Sequence, residues 1–183
     1  AGKWFDHPIF ATDYRGNFHG EAIPLAVDWA YGYFSAADKQ KVARVFMRWI
    51  GQNLTATTSG YDHPSPVGVT SDPVLFEDRQ RLRTSLNNFS ASHMRNITLM
   101  SLALDPADEP SPLVYGADNK LASMGISGYA TLRDHVKEAT GAWLYTVDEA
   151  LDRYAGGGVP VEGFEYNGVS TARMAETYLA LLT

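Results

Sequence analysis

The chain has 183 residues, of which 45% are apolar and 20% are charged. This is enough apolar material for one sizeable hydrophobic core, so we expect a single domain over residues 1–183. The formal charge of −6 is spread along the chain without a Lys/Arg-rich run, which argues against nucleic acid or an acidic membrane surface as partner.

The amino-terminal part of the chain predicts two helices joined by a short turn. Residues 21–34 are apolar on most sides, and Pro24 suits a first helical turn. Ser35, with Asp38 three residues later, resembles a capping box, and apolar residues then recur at helical spacing as far as Leu54. These two segments predict a helical hairpin.

A third helix is predicted between two proline-rich stretches. Residues 55–80 and 105–116 carry turn-forming residues, so we predict a long loop in each. The helix between them covers about residues 82–104 and has one apolar stripe. Its other side carries polar residues: Asn88, Ser92, Arg95 and Asn96.

The carboxy-terminal part predicts two more helices around a glycine-rich turn. One helix runs over roughly residues 129–154, and the last begins after Ser170 and continues to the end. The turn between them, residues 156–168, holds two carboxylates and a tyrosine. Strand patterns are weak throughout, so we predict an all-α fold built from antiparallel helical hairpins.

The composition also limits the chemistry. Cysteine is absent, which leaves no thiolate for a metal site or a nucleophile. The pairs Asp6-His7 and Asp62-His63 lack a third ligand at diagnostic spacing, so we expect no metal and no cofactor. No stretch is long and apolar enough to cross a membrane. Both ends look cut, because the chain starts at Ala1 and closes on an apolar run, so we expect a piece of a longer protein.

A likeness to a known family is carried by three segments in order: LAVDWAYGYFSAADKQKVARVF, SLNNFSASHMRNITLMSLAL and VDEALDRYAGGGVPVEGFEYNGVS. Their most specific elements are two short motifs: Asn87-Asn88-Phe89 and Glu162-Gly163-x-x-Tyr166. In this order they resemble the helical toroid region of heparinase II/III-like and alginate-lyase-like polysaccharide lyases. The likeness covers most of the chain from residue 21 onward. It implies an α/α toroid, partial here, an anionic polysaccharide or oligosaccharide as substrate, and a periplasmic or secreted location.

The chemistry of these enzymes sets the residue types that a site would need. β-Elimination removes a weakly acidic proton next to a uronate carboxylate, so donors must first stabilise the negative charge on that group. Each preorganised donor is worth roughly 3 to 4 kcal/mol. A base then takes the proton and a tyrosine hydroxyl protonates the leaving oxygen, each contributing about 10²- to 10⁴-fold.

The likeness implies roles for individual residues. Asn88 would neutralise the carboxylate, with Asn87 and Arg95 also binding substrate. Tyr166 would be the proton donor or the base, and Glu162 would orient the loop or a sugar hydroxyl.

The base is less clearly indicated. His93 is the nearest candidate, but in the alginate-lyase-like members the histidine follows the asparagine directly, and Phe89 stands at that position here. His19 and His135 are the alternatives, and the sequence does not choose among them.

Structural interpretations compete with these roles. The two asparagines suit a helix start, His93 suits a hydrogen-bonded position near the core, and Glu162 suits the cap of the last helix.

Two other functions are also compatible with the sequence. One is a glycoside hydrolase on a similar toroid, with an acid and a base drawn from Asp28, Glu162 and Glu165. The other is a non-catalytic carbohydrate-binding or scaffold domain.

Overall fold

The computed structural model describes residues 14–55, 85–109, 131–158 and 163–183, together with Glu77, Arg79 and Leu82. Every regular element in these ranges is helical, which confirms the predicted all-α class. The α-helices are α1 Tyr14–Trp29, α2 Ala36–Thr55, α3 Asn88–Leu102, α4 Leu132–His135, α5 Gly141–Tyr154 and α6 Gly163–Leu182. A π-helical turn, Val136–Thr140, joins α4 to α5, and short 3₁₀ turns occupy Tyr31–Tyr33 and Pro106–Asp108.

Helix α3 lies at the centre of the described structure. It packs against α1, α2, α4, α6 and the π-helical turn. Residues 90–98 are all buried, so the polar side predicted for this helix is covered as completely as its apolar stripe. Apolar side chains from α2, α3 and α5 form the main core cluster, which includes Phe46, Ile50, Leu54, Ile97, Met100, Trp143 and Val147.

Helices α1 and α3 run in the same direction. The Asn96 side-chain amide donates to the Gly16 carbonyl at 3.0 Å, near the start of α1. Asp28, near the end of α1, lines the same cavity as Ala103, just after the end of α3. Residue numbers therefore rise together along the two helices.

Helix α6 is parallel to α3 as well. Arg95 in the middle of α3 binds Glu176 at 2.7 Å, and Thr183 at the end of the chain lines the same cavity as Leu102. The other helices run the opposite way. Lys39 in the first turn of α2 reaches a residue beyond the end of α3. Leu132 of α4 binds Glu109 beyond that end, Thr140 contacts Thr98, and Trp143 of α5 donates to the Ser85 carbonyl before the start of α3, so residue numbers fall along α3 as they rise from α4 to α5.

The direction of the helices thus alternates along the chain, as expected for antiparallel pairs. Within the described ranges, however, α1 and α2 each make their main contacts with α3. The turn between α1 and α2 is bound to Asp108, which follows α3 in the chain. Tyr31 and Lys39 both donate to the Asp108 carboxylate, and the Lys39 ammonium lies over the Tyr31 ring, 3.9 Å from its centroid.

Some helix boundaries differ from the predictions. Helix α1 begins at Tyr14, so Pro24 lies inside it and leaves the Gly20 carbonyl without its helical N–H. Helix α6 begins at Gly163, which places Tyr166 in its first turn and not in the glycine-rich turn. Gly163 has a φ of +75°, a conformation that glycine adopts without strain, so glycine suits the start of α6.

The predicted cap of α2 is present, and α4 has a further cap that was not predicted. The Ser35 hydroxyl accepts the Asp38 backbone N–H at 3.2 Å, as the capping box predicts. Thr131 and Asp134 form a second capping box at the start of α4. There the Glu109 carboxylate also accepts the Leu132 backbone N–H at 2.9 Å, which brings residue 109 beside residue 132.

Several predicted features lie outside the described residues. They are most of the two proline-rich loops, the two Asp-His pairs and Glu162. Among the helices that are described, none combines the length and apolar character needed to cross a membrane.

Candidate functional site

Arg95 lies at the centre of an ion-pair network that joins α1, α3 and α6. Its side chain is fully buried, and Nη1 donates to Glu21 and to Glu176, each at 2.7 Å. Nε and Nη2 donate to the Asn96 side-chain oxygen at 3.1 and 2.9 Å. A substrate carboxylate could bind Arg95 only by displacing one of these groups.

Glu176, one of the two carboxylates that bind Arg95, is held in its charged form. Arg173 of α6 donates to Glu176 at 3.0 Å and lies 3.4 Å from Glu21. Burial alone would raise the pKa of Glu176, but hydrogen bonds from Arg95 and Arg173 hold that pKa below its ordinary value. Glu176 is therefore an ionised carboxylate at neutral pH and unsuited to be a general acid.

A cavity of about 630 Å³ opens beside this network, between the carboxy-terminal halves of α1, α3 and α6. Glu21, Asp28, Glu176 and Arg133 line it together with leucines: Leu25, Leu99, Leu102 and Leu179. None of these three described helices has a basic residue in its last turn. Glu21 and Glu176 are paired with Arg95 and Arg173, and Arg133 also lines the cavity, so the clearest negative contribution at this end is that of the three helix carboxyl ends, which disfavours an anionic ligand there.

The opposite end of the bundle carries Asn88 and Tyr166. Because α3 and α6 are parallel and Arg95 faces Glu176, each of these residues lies toward the amino-terminal end, roughly 10 and 15 Å from the network along the helix axes. Asn88 is half-buried and the Tyr166 side chain is 44% exposed. The amino ends of helices favour anions, because their first N–H groups lack helical partners.

The two neighbouring asparagines have different local roles. Asn87 is the N-cap of α3, and its side chain accepts the Phe89 backbone N–H at 2.8 Å. Its structural interpretation is confirmed, while a contact of Asn87 with substrate stays a prediction. Asn88 is the first residue of α3, so its amide is placed at the helix start without being the cap.

The three candidate bases occupy very different environments. His135 is fully buried and its ring contacts the Met47 sulfur at 3.0 Å; burial lowers its pKa to about 4. It is a neutral core residue, which excludes it as a base that meets substrate. His93 is also buried, with 8% of its surface exposed, as its structural interpretation predicts. His19 is exposed on α1.

The geometry separates the carboxylates considered for a glycoside hydrolase. Glu165 belongs to the first turn of α6, whereas Asp28 shares the cavity with Thr183 at the far end of that helix. Roughly 25 Å of helix separates these levels at about 1.5 Å per residue. Hydrolytic carboxyl pairs lie about 5 to 9.5 Å apart, so these two residues cannot form one.

No sequence pattern predicts the roles of Glu21, Arg173 and Glu176 as partners in this network. An arginine in the middle of a buried helix requires carboxylate partners, so Arg95 itself predicts that such partners exist. Which acidic residues meet it depends on the parallel packing of α1 and α6, for which the sequence carries no local pattern.

In the described part of the chain, no group of three or more acidic or histidine side chains is arranged to hold a metal ion. Comparison of the chain with protein-family models, with curated proteins and with solved structures finds no match.

Proposed function

We propose that the chain is part of an α/α toroid and acts as a polysaccharide lyase-like domain that cleaves uronic-acid-containing polysaccharide by β-elimination. The observation that carries this proposal is the parallel packing of α3 and α6, because it brings Asn88 and Tyr166 to the same end of the bundle. These residues belong to the two motifs, far apart in the chain, on which the family likeness depends.

The distribution of charge supports an acidic polymer at that end. The amino ends of α3 and α6 offer backbone N–H groups, which favour a uronate carboxylate. The opposite end presents the carboxyl ends of the same helices, whose negative partial charge disfavours such a chain. An anionic polysaccharide or oligosaccharide is thus the proposed partner, with no metal or other cofactor, and a periplasmic or secreted location would suit it.

Each step has a residue of suitable chemistry. The Asn88 amide donates to the uronate carboxylate and stabilises negative charge as the adjacent C–H proton leaves. Tyr166, exposed at the start of α6, protonates the leaving glycosidic oxygen while the carbon–carbon double bond forms. Because His93 is buried, we assign the proton abstraction to Tyr166 in its ionised form, so that one group takes the proton and passes it on.

The alternating helix directions support the toroid, in which parallel inner helices are separated along the chain by helices of opposite direction. On this proposal α1, α3 and α6 are the inner helices. Their amino ends face the substrate.

The test is an assay of the chain against a panel of uronate polysaccharides that follows two products. Unsaturated ends absorb in the ultraviolet and report elimination, while reducing ends report any cleavage. We expect both from the wild-type chain, and a loss of about 10²- to 10⁴-fold in Tyr166→Phe, because the substitution removes the proton donor.

Tyr178→Phe is the matched control, since Tyr178 is a similarly exposed tyrosine on the same helix but toward the acidic end. It should retain wild-type activity. Reducing ends without absorbance would indicate hydrolysis, and absence of both products from a folded chain would favour the non-catalytic carbohydrate-binding domain. Equal loss in both tyrosine variants would contradict the role of Tyr166.

A further inference from the structure

The Arg95 network connects the helices that carry the proposed site. Arg95 is on α3 with Asn88, and Glu176 is on α6 with Tyr166. Glu21, on α1, binds the same guanidinium. From α3, the buried Arg95 side chain thus contacts both of the helices parallel to it, α1 and α6.

The geometry of the network is highly specific. Asn96 accepts from two nitrogens of the Arg95 guanidinium and donates to the Gly16 carbonyl of α1. At Gly20 the helices are so close that a Cβ atom would lie 2.2 Å from Asn96 Nδ2. The guanidinium is consequently held from three directions, and lysine lacks the planar, multiple-donor group needed to replace it.

Such a network contributes more to specificity than to stability. A buried ion pair loses hydration on folding, so apolar residues of similar volume are often neutral or stabilising replacements. Breaking the pair on one side is costly, because it leaves a buried charge without its partner. A buried charged group therefore favours one axial alignment of two helices over shifted alignments that an apolar contact would tolerate.

Axial alignment matters at the proposed site. A shift of α6 by one helical turn along α3 would move Tyr166 by about 5.4 Å relative to Asn88. A misplacement of even about 1 Å can reduce a rate by about 100-fold.

We infer that Arg95 is a positioning residue: by binding Glu176 and Glu21 it fixes the axial alignment of α6 and α1 on α3, and so the separation of Asn88 and Tyr166. The alignment itself does not depend on the proposed function. Its catalytic consequence does rest on that function.

The test compares wild type with the double variant Arg95→Met/Glu176→Leu, which removes both charges and keeps apolar volume. Because the chain has no cysteine, spin labels can be attached at two introduced cysteines, Ala107→Cys after α3 and Ala172→Cys on α6, both at exposed positions. Ala172 lies opposite residue 91, and from there to the end of α3 the helix spans roughly 16 Å along the axis. That separation can be measured by pulsed electron paramagnetic resonance.

We expect one narrow distance in the wild-type background and, in the double variant, a broadened distribution or a second distance changed by up to about 5 Å. Glu149→Gln is the control, since it breaks the exposed Glu149–Arg153 pair on α5 and should leave the distance unchanged. A single unshifted distance in a folded double variant would overturn the inference.

A kinetic arm separates positioning from simple loss of stability. If the chain is a lyase, the double variant should lose about 100-fold in kcat with little change in KM, measured at a temperature where it is fully folded. An unchanged kcat alongside a shifted distance would remove the catalytic consequence but keep the alignment. If the wild-type chain is inactive, the proposed function fails while the distance measurement still decides the role of Arg95.

Discussion

Burial decides what each histidine can do. His135 has no exposed surface, and the loss of hydration on burial lowers its pKa from about 6.5 to about 4. In the unfolded chain the same imidazole would titrate near its ordinary pKa. Between these two pKa values the imidazole is protonated in the unfolded chain and neutral in the folded one. The free energy of unfolding therefore falls as the pH falls.

We therefore expect the free energy of unfolding to be lower at pH 5 than at pH 7, with about 2 kcal/mol of the difference due to His135. Denaturant titrations at both pH values measure it. The variant His135→Leu should remove that part of the pH dependence, while His19→Gln, at an exposed position, should retain it. An identical pH dependence in His135→Leu would show that another group is responsible.

Among the helix contacts, the one between α1 and α3 leaves the least room for a side chain at Gly20. Asn96 is held by Arg95 and by the Gly16 carbonyl, so it cannot move aside easily. Gly20 faces this amide directly. A residue that would normally weaken a helix is required here by the close approach of another helix.

Gly20→Ala tests this requirement. Helix propensity alone would make the variant more stable by up to about 1 kcal/mol. We expect instead a net loss of about 1 kcal/mol or more, because Asn96 must shift and overpacking costs about 1 to 3 kcal/mol. Gly32→Ala, where nothing lies within 4 Å of the added Cβ, is the control for thermal unfolding. A more stable Gly20→Ala variant would mean that the helices are farther apart.

Local chemistry was predictable for the elements, and their packing was not. The cap formed by Ser35 and Asp38 follows from two residues three positions apart, so the sequence predicts it correctly. The start of α6 at Gly163 lies within a segment whose glycines predict a turn, and the packing of α6 against α3 has no local pattern in the sequence. For the candidate site, Asn87 caps a helix and His93 is buried, as predicted, whereas the partners of Arg95 come from helices far away in the chain.

For the molecule as a whole, the parallel arrangement of α1, α3 and α6 separates two chemically different ends. One end has Asn88 and Tyr166 at helix amino termini. The other has carboxylates around a cavity at helix carboxyl termini. The proposed function depends on this polarity, so the direction of α6 relative to α1 is the feature to measure.

Introduced cysteines at exposed positions allow that measurement: Phe18 and Trp29 on α1, and Leu182 on α6. With spin labels, we expect the Trp29–Leu182 distance to be shorter than the Phe18–Leu182 distance, because both carboxyl ends lie at the cavity. The two α1 positions are about 16 Å apart along the helix, which makes the difference easy to resolve. The reverse order would require α6 to run against α1 and would move Tyr166 away from Asn88.

The hydrogen bond from Leu132 to Glu109 has a consequence for how this protein can be altered. Residues 109 and 132 are far apart in the chain but are adjacent in space, joined by this hydrogen bond. The number of residues between two adjoining points affects stability only weakly, since each doubling of a flexible connection costs about 0.6 kcal/mol in closure entropy. Natural variation in length, or a guest domain introduced by engineering, would be tolerated between these positions more readily than anywhere along α3.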